Sequence, residues 1–366
     1  MYLETLRTTD FRNLEDGIAC RPGLNILVGD NGQGKTNWLE AIFLLATTRS
    51  FKTARLPEAI RFGAEMAIIG GDVRQSAEII HKLQAVITDG SKAFSINGKR
   101  EPTSRYIGEL HAVVFNADEL EVVRGQPEAR RKFLDNGIVS IYPAYLQTIT
   151  DYNRVIKQKN SLLQTSRDGT WELNKTIESL TPWNEQPTAL ASRIYKARLR
   201  FVERLNEVLE RHMFGNEDVS IRYASTLEGK GDLSDYEALV TERLKLRIQA
   251  EVVAGHSLIG PHRDDMEIKL GGHDLRKYGS SGQQRSALLL LQLANLAVFH
   301  SQRAEYPLFL LDDIDSELDY KRIGELLEFL EDKTQTFVTT SKENFVQNFG
   351  LGAAVFEIEK GRPKCL

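Results

Sequence analysis

Hydrophobic and polar positions alternate at the start of the chain. Leu3, Leu6 and Thr8 are spaced among polar residues, and Leu24-Asn-Ile-Leu-Val28 is a short apolar run. Both patterns predict strands over the first 28 or so residues. A Gly-rich loop follows, and apolar Trp38, Leu39, Ile42, Phe43 and Leu45 predict a helix from Thr36 to about Thr47. Strand patterning returns from about Met66 to Phe115. Asp89-Gly90 and Asn97-Gly98 are hairpin signals there, because both central residues of such turns need positive φ. Residues 84–88 and 92–96 are therefore expected to pair antiparallel.

From about Glu128 to Val253 the period changes to 3.6. Leu146, Ile149, Tyr152/Asn153 and Ile156 form one stripe; Ile194, Phe201/Val202, Leu205 and Leu209 form another. A polar stretch from Thr165 to Pro187 is expected to break these two helices, and a third runs from about Tyr236 to Val252. After Gly260-Pro-His262 strands resume at Met266, Ile268 and Leu270, with a turn at Gly271-Gly272. A helix over about Gln284–His300, a strand Leu308–Leu311, a helix Tyr320–Glu331 and a final strand Thr336–Thr340 complete the reading. The expected fold is α/β: a split lobe of mixed sheets, 1–125 and 256–366, interrupted by a helical, coiled-coil-like arm, 126–255.

Composition narrows the class without choosing a function. The chain has 366 residues, 41% hydrophobic and 27% charged, as soluble globular proteins do. It has no apolar run of about 18 residues, so no membrane partner is expected, and its first residues carry no secretory pattern. Cys20 and Cys365 are the only cysteines, too few for a disulfide or metal framework; a reducing cytoplasmic setting is expected. The net charge of −4 excludes coating nucleic acid through bulk charge but permits a local basic face.

Gly29-Asp30-Asn31-Gly32-Gln33-Gly34-Lys35-Thr36 fits the phosphate loop G-x-x-x-x-G-K-[ST], with a strand before and a helix after it. Glycines let successive N–H groups face phosphates, and the helix N-terminus adds partial positive charge. Lys35 is expected at the β and γ phosphates of ATP and the Thr36 hydroxyl on Mg²⁺. A Gly-rich turn that binds nothing is the plainer reading, disfavoured by four fixed positions in the right context. Leu308-Phe-Leu-Leu-Asp312-Asp313 reads as a Walker B strand, with Asp312 holding Mg²⁺ and Asp313 orienting or deprotonating the attacking water. Alone it would equally be a capping Asp pair. Gly279-Ser280-Ser281-Gly282-Gln283 before a long helix resembles the signature loop of ABC-type ATPases, against the alternative of an ordinary Ser cap. Ser316-Glu-Leu-Asp319 resembles the D-loop. In ABC-type folds the signature loop completes the site of a second subunit, which implies two ATP molecules clamped in a two-fold homodimer.

Taken together the chain resembles the RecF family, bacterial recombination-repair ATPases related to SMC heads. The resemblance spans the whole chain and includes Asp10-Phe-Arg-Asn-Leu14, Arg124-Gly-Gln-Pro-Glu-Ala-Arg130-Arg131-Lys-Phe-Leu-Asp135, Gly260-Pro-His-Arg-Asp-Asp265 and Asp312-Asp-Ile-Asp-Ser-Glu-Leu-Asp319. It implies an ABC-type head, ATP-dependent dimerisation, binding at single-strand/double-strand junctions of gapped DNA, slow DNA-stimulated hydrolysis, and partnership with RecR and RecO. Two departures from the transporter pattern stand out. Asp313 replaces the usual Glu, one methylene shorter, so slow turnover is expected. Thr339-Thr340 occupies the place of a switch histidine, which assigns γ-phosphate sensing to a hydroxyl, taken as Thr340. Asn116 is the nearest candidate for a Q-loop residue.

For DNA, the first arm helix offers Arg154, Lys157 and Lys159, and the second offers Arg193, Lys196 and Arg198. Glu203, Glu207 and Glu210 follow closely, so a solvated helix face is the competing reading. Arg130 and Arg131 are equally suited to bracing the arm. The main alternative function is the nucleotide-binding subunit of an ABC transporter, disfavoured by the long helical insertion between Asn116 and Ser280. A full SMC protein needs a far longer arm, and a non-hydrolysing clamp would not need Lys35, Asp312 and Asp313 together.

Overall fold

Strand Leu24–Val28 lies between two parallel neighbours, Thr336–Thr340 and Ala354–Glu359, with Val28 facing Thr340 and Glu357. In the computed structural model, which describes residues 1–167, 173–215 and 217–366, these strands belong to one of two compact units. That unit comprises Met1–Leu120, His212–Glu217 and Ser280–Leu366. Its six-stranded sheet runs in the order Arg362–Cys365, Ala354–Glu359, Leu24–Val28, Thr336–Thr340, Leu308–Leu311, Ala112–Phe115, parallel except for the antiparallel hairpin made by the first two. Ile26, Leu308, Leu310, Phe337 and Val338 are fully buried, as apolar runs in a parallel sheet covered by helices should be. Helices Lys35–Thr47 and Ser281–Arg303 both pack on Ala112–Phe115 and bury Trp38, Leu39, Ile42, Leu288, Leu289 and Leu291.

The second sheet of this unit is antiparallel: Gly17–Ala19, Tyr2–Thr9, Met66–Arg74, Ile80–Thr88, Lys92–Ile96, Lys99–Glu101. Ile80–Thr88 pairs with Lys92–Ile96 as expected, and Asn97 (φ 52°) with Gly98 (φ 79°) makes the next tight turn. Leu3, Leu6, Ile69, Ala85 and Phe94 point inward to join the core of the phosphate-loop helix. The chain does not end its sheet at Thr336–Thr340. Helix Glu343–Phe349 and the hairpin Ala354–Glu359/Arg362–Cys365 follow, with Ala354, Phe356 and Ile358 buried in alternation.

The other unit comprises Glu121–Arg211 and Asp218–Gly279. It contains helices Pro127–Ile141, Tyr145–Thr165, Leu173–Leu209 and Tyr236–Ala254. Three differences from the sequence reading matter. The polar stretch is not a break throughout: 168–172 lie outside the described residues, but from Leu173 the chain is helical and carries Pro182 and Pro187 within it. Leu180, Pro187, Ala191 and Ile194 share one buried stripe, whose burial works against the roughly 3 kcal/mol that an interior proline costs. Val219–Ala224 is a strand inside the supposedly all-helical region, with Val219, Ile221 and Tyr223 buried in alternation. It pairs over six residues with Asp265–Leu270. Residues 256–279, expected with the split lobe, therefore fold with the helices.

Candidate functional site

The glycines of the loop after Val28 meet two kinds of need, backbone angle and close approach. Gly29, Gly32 and Gly34 have φ of 154°, 81° and 107°, and at 32 and 34 especially such values exclude most side chains. A Cβ at Gly29 would fall 2.5 Å from the backbone oxygen of Ile358, and one at Gly34 would fall 2.9 Å from Asn13 Oδ1. A Cβ at Gly32 would meet nothing within 4 Å. Two glycines thus let the chain pack on itself, and the third keeps open space before the loop. Helix Lys35–Thr47 begins there, with Gly34 as its left-handed cap and the backbone N–H groups of Asn37 and Trp38 donating to Gly34 O. Lys35 Nζ donates to the carbonyls of Gly29 (2.7 Å) and Asp30 (2.9 Å). Burial lowers the pKa of this ammonium, while Asp313, Asp312, Asp315 and Asp30 pull it back up.

Because Leu308–Leu311 and Thr336–Thr340 are adjacent parallel strands, their C-terminal ends meet beside the phosphate loop. Asp312 Oδ1 accepts from Thr36 Oγ1 at 2.9 Å and from Thr339 Oγ1 at 2.7 Å, and Asp313 N donates to Thr339 Oγ1 at 2.8 Å. Burial pushes the Asp312 carboxyl above the usual range; the two threonine hydroxyls oppose this and Asp313 adds to it. A half-buried carboxylate with two threonine hydroxyls beside it is a set of hard oxygen donors that fits a small divalent cation such as Mg²⁺. Asp313 sits at φ 49° just before the short helix Ile314–Glu317 and is exposed.

These residues line a cleft of about 470 Å³ together with Asn31, Gly32, Gly34, Asn37, Lys52, Ala117 and Glu317, a size suited to a ligand such as a nucleotide. Two expectations change here. Strand neighbours face opposite ways, so Thr339, not Thr340, reaches the cleft. Thr340 is fully buried and its hydroxyl accepts from Lys342 N. Asn116 is buried too, and its Oδ1 accepts from Glu119 N as a local cap; its neighbour Ala117 lines the cleft. Asn37, Lys52 and Glu317 were not foreseen. Lys52 is held by a chain of contacts: Glu40, fully buried, binds Arg12 and Ser50 (2.6 Å), Ser50 Oγ accepts from Lys52 N, and Lys52 Nζ donates to Asn37 Oδ1 (2.8 Å). No local motif announces Lys52; only the folded loop brings it to the site.

Ser280, Ser281, Gly282 and Gln283 are exposed, and none of them lines the cleft among the described residues. Ser280 and Gln283 form a reciprocal capping box at the start of Ser281–Arg303. A Cβ at Gly282 would meet nothing within 4 Å, so no close neighbour among the described residues requires a glycine there. One turn on, Arg285 Nε donates to Glu317 Oε2 at 2.8 Å, which ties the signature helix to the cleft wall. Ser316 is exposed and Asp319 caps helix Tyr320–Leu330 by accepting from Arg322 N.

The basic residues of the arm divide. Arg154, Lys157, Arg193 and Lys196 are exposed, although Arg154 is paired with Asp151. Lys159 and Arg198 are not available to a ligand. Lys159 is fully buried with Nζ 2.6 Å from Glu251, and Arg198 makes a bidentate pair with Asp135 while donating to Pro261 O. Helical spacing explains this: both lie on the stripes their helices bury. Arg130 likewise pairs with Asp265, and Arg131 donates to Asp264 O, so these two brace their own unit.

The RecF/RecN/SMC N-terminal domain family matches residues 2–364. The chain belongs to the RecF family. A DNA replication and repair protein RecF from Synechococcus sp. (strain JA-3-3Ab) is 36% identical, covering 99% of this chain and 97% of the relative. The RecF of Ligilactobacillus salivarius is also 36% identical over 99% of this chain and 97% of its own. A solved structure described as the recombination mediator protein RecF-ATPrS in the RecFOR pathway matches with a TM-score of 0.90 at 30% identity, covering 100% of this chain and 98% of the other. These relatives are repair proteins, which favours the repair reading over a transporter subunit.

Proposed function

We propose that this chain is an ATP-dependent DNA clamp of recombinational repair, acting in the cytoplasm. The observation that carries it is the convergence of Thr36 and Thr339 on Asp312 beside Lys35, with an exposed, unobstructed signature turn elsewhere on the same unit. In this reading Lys35 leaves the carbonyls of Gly29 and Asp30 for the β and γ phosphates of ATP. Thr36 and Asp312 would hold Mg²⁺, which would neutralise the charge that develops on the phosphates. Asp313, exposed at the cleft, orients or deprotonates the attacking water. Thr339 reports the γ-phosphate by linking Asp312 to the backbone of Asp313. Ser280 to Gln283 of a second copy close over the nucleotide, so ATP drives a two-fold dimer.

DNA then binds a composite basic face to which both copies contribute, with Arg154, Lys157, Arg193 and Lys196 as its arm residues. RecO and RecR are the proposed partners, because a relative is described within the RecFOR pathway. Sedimentation with and without ATP and gapped DNA tests the reading. A monomer that dimerises with ATP and then binds DNA, more weakly as salt rises, supports it. The same dimer in ADP, or binding indifferent to ATP, contradicts it.

A further inference from the structure

The phosphate loop has a wall that its own sequence does not supply. Between the two strands of the C-terminal hairpin, Lys360 (φ 49°) and Gly361 (φ 84°) form a turn that closes on Gln33. Lys360 N donates to Gln33 Oε1 at 2.7 Å, and Gly361 N donates to Gln33 O at 2.8 Å. Asn13 Nδ2 donates to the same carbonyl at 3.4 Å, and Asn13 Oδ1 accepts from Asn37 on the phosphate-loop helix. Turn and segment are themselves in tight contact. Glu15 N donates to Gly361 O, Arg362 pairs with Glu15, and a Cβ at Gly361 would fall 1.9 Å from the backbone oxygen of Asn13. One strand earlier, Ile358 O occupies the place a Cβ of Gly29 would need.

Both ends of the loop's variable stretch are therefore fixed by the hairpin: Gly29 by Ile358, and Gln33 by Lys360 and Gly361. Gln33 spends its side chain and carbonyl on these contacts and does not line the cleft among the described residues. A hairpin needed only for the sheet edge would not need its turn this close. Three hydrogen bonds to Gln33, one of them backbone to backbone, and the close approach of Ile358 O to Gly29 hold the loop in place before a ligand arrives, and a preformed cradle binds at a lower ordering cost.

We infer that the Lys360–Gly361 turn is a positioning element of the nucleotide site, and that Gly361 and Gln33 are positioning residues for the phosphate loop. The inference rests on the reading of that loop as an ATP site. Gly361→Ala must displace either the turn or Asn13, because the new Cβ meets backbone atoms of Asn13 that no side-chain rotation can move. The loop then loses its fixed position while Lys35, Thr36, Asp312 and Asp313 remain.

The test measures the Kd for a fluorescent ATP analogue in the full chain, with ATPase kinetics and thermal unfolding of the nucleotide-free protein alongside. Gly361→Ala is expected to raise Kd and KM about tenfold or more while kcat at saturating ATP stays within about twofold. The nucleotide-free unfolding midpoint should fall for Gly361→Ala, because Ala is strained at φ 84°, and should move little for Gln33→Met. Gln33→Met removes the acceptor for Lys360 N without a backbone clash and should weaken binding several-fold. The double variant should be no weaker than Gly361→Ala, since both act through one contact. Lys364→Ala, on the exposed face of the same hairpin, serves as the control. Wild-type Kd in a folded Gly361→Ala protein, or in Gln33→Met should the first not fold, overturns the inference, as do additive effects. If the unaltered protein binds no nucleotide, the ATP reading itself fails, a distinct result.

Discussion

Thr36 Oγ1 donates a 2.9 Å hydrogen bond to Asp312 Oδ1, joining the first turn of the phosphate-loop helix to the end of the Leu308–Leu311 strand. The two residues are far apart in sequence, and the bond exists because the strands carrying them share one parallel sheet. Thr36→Val keeps the shape and removes the hydroxyl. Hydrolysis is expected to fall at least tenfold, with a raised Mg²⁺ requirement, whereas Thr36→Ser keeps most of the activity. A Mg²⁺ titration of the three proteins decides it; equal Mg²⁺ dependence in Thr36→Val would remove Thr36 from the metal site.

Lys159 and Lys157 should separate stability from DNA binding. Lys159→Met leaves Glu251 fully buried without its ion-pair partner, so destabilisation of about 3–5 kcal/mol is expected. Lys157→Glu reverses an exposed charge and should leave stability nearly unchanged while weakening DNA binding. Urea unfolding and a DNA titration on both variants check this. A stable Lys159→Met protein, or DNA binding unaffected by Lys157→Glu, would contradict the respective half.

The motifs were legible because each is a short run whose chemistry depends on local geometry: Gly29 to Thr36, Leu308 to Asp313, Ser280 to Gln283. Their mutual placement was legible only through the family resemblance. What escaped was set by tertiary packing. Lys159 and Arg198 carry the same charges as Lys157 and Lys196, and only the buried stripe of each helix decides which are spent on ion pairs. The choice between Thr339 and Thr340 turns on a one-residue alternation that a fully buried pentapeptide does not reveal. Ala354–Glu359 did alternate, but the hairpin it builds has no motif, so its grip on Gln33 was invisible.

His262 gives a pH test of the helical unit. Burial holds its imidazole down at about 3, with Tyr152 OH 2.7 Å from Nδ1. A free imidazole titrates near 6.5, so between these values the unfolded chain binds a proton that the folded chain refuses. The stability this neutral His262 provides is complete above about pH 6.5 and is lost as pH falls toward 3. His262→Gln should be clearly less stable than wild type at pH 7.5. That gap should narrow from pH 6.5 to 4, by at most about 1.4 kcal/mol per pH unit. Chemical denaturation across this range decides it; a constant gap would mean that His262 is not held neutral.

Gly282 and Ser280 present an open turn, and Ser280→Arg fills it. Binding of ATP to a single chain should persist, because none of the cleft residues changes. Assembly with ATP should be lost, with DNA binding lost alongside it. Analytical ultracentrifugation beside a nucleotide-binding assay reports both. A Ser280→Arg protein that still dimerises with ATP would remove the signature turn from the interface.

Hydrolysis at Asp313 is expected to time the release of the ATP-clamped dimer from DNA, and the lifetime of the protein–DNA complex reads that timing. Asp313→Asn keeps the size of the side chain but removes the basic oxygen, leaving Asp312, Thr36 and Lys35 in place. Hydrolysis should fall about 100-fold or more. A gel-shift chase with competitor DNA after assembly in ATP should show the Asp313→Asn complex dissociating much more slowly than wild type. Lys35→Met, which weakens the grip on ATP, should assemble no complex. An Asp313→Asn complex that dissociates at the wild-type rate, with its hydrolysis abolished, would contradict the account.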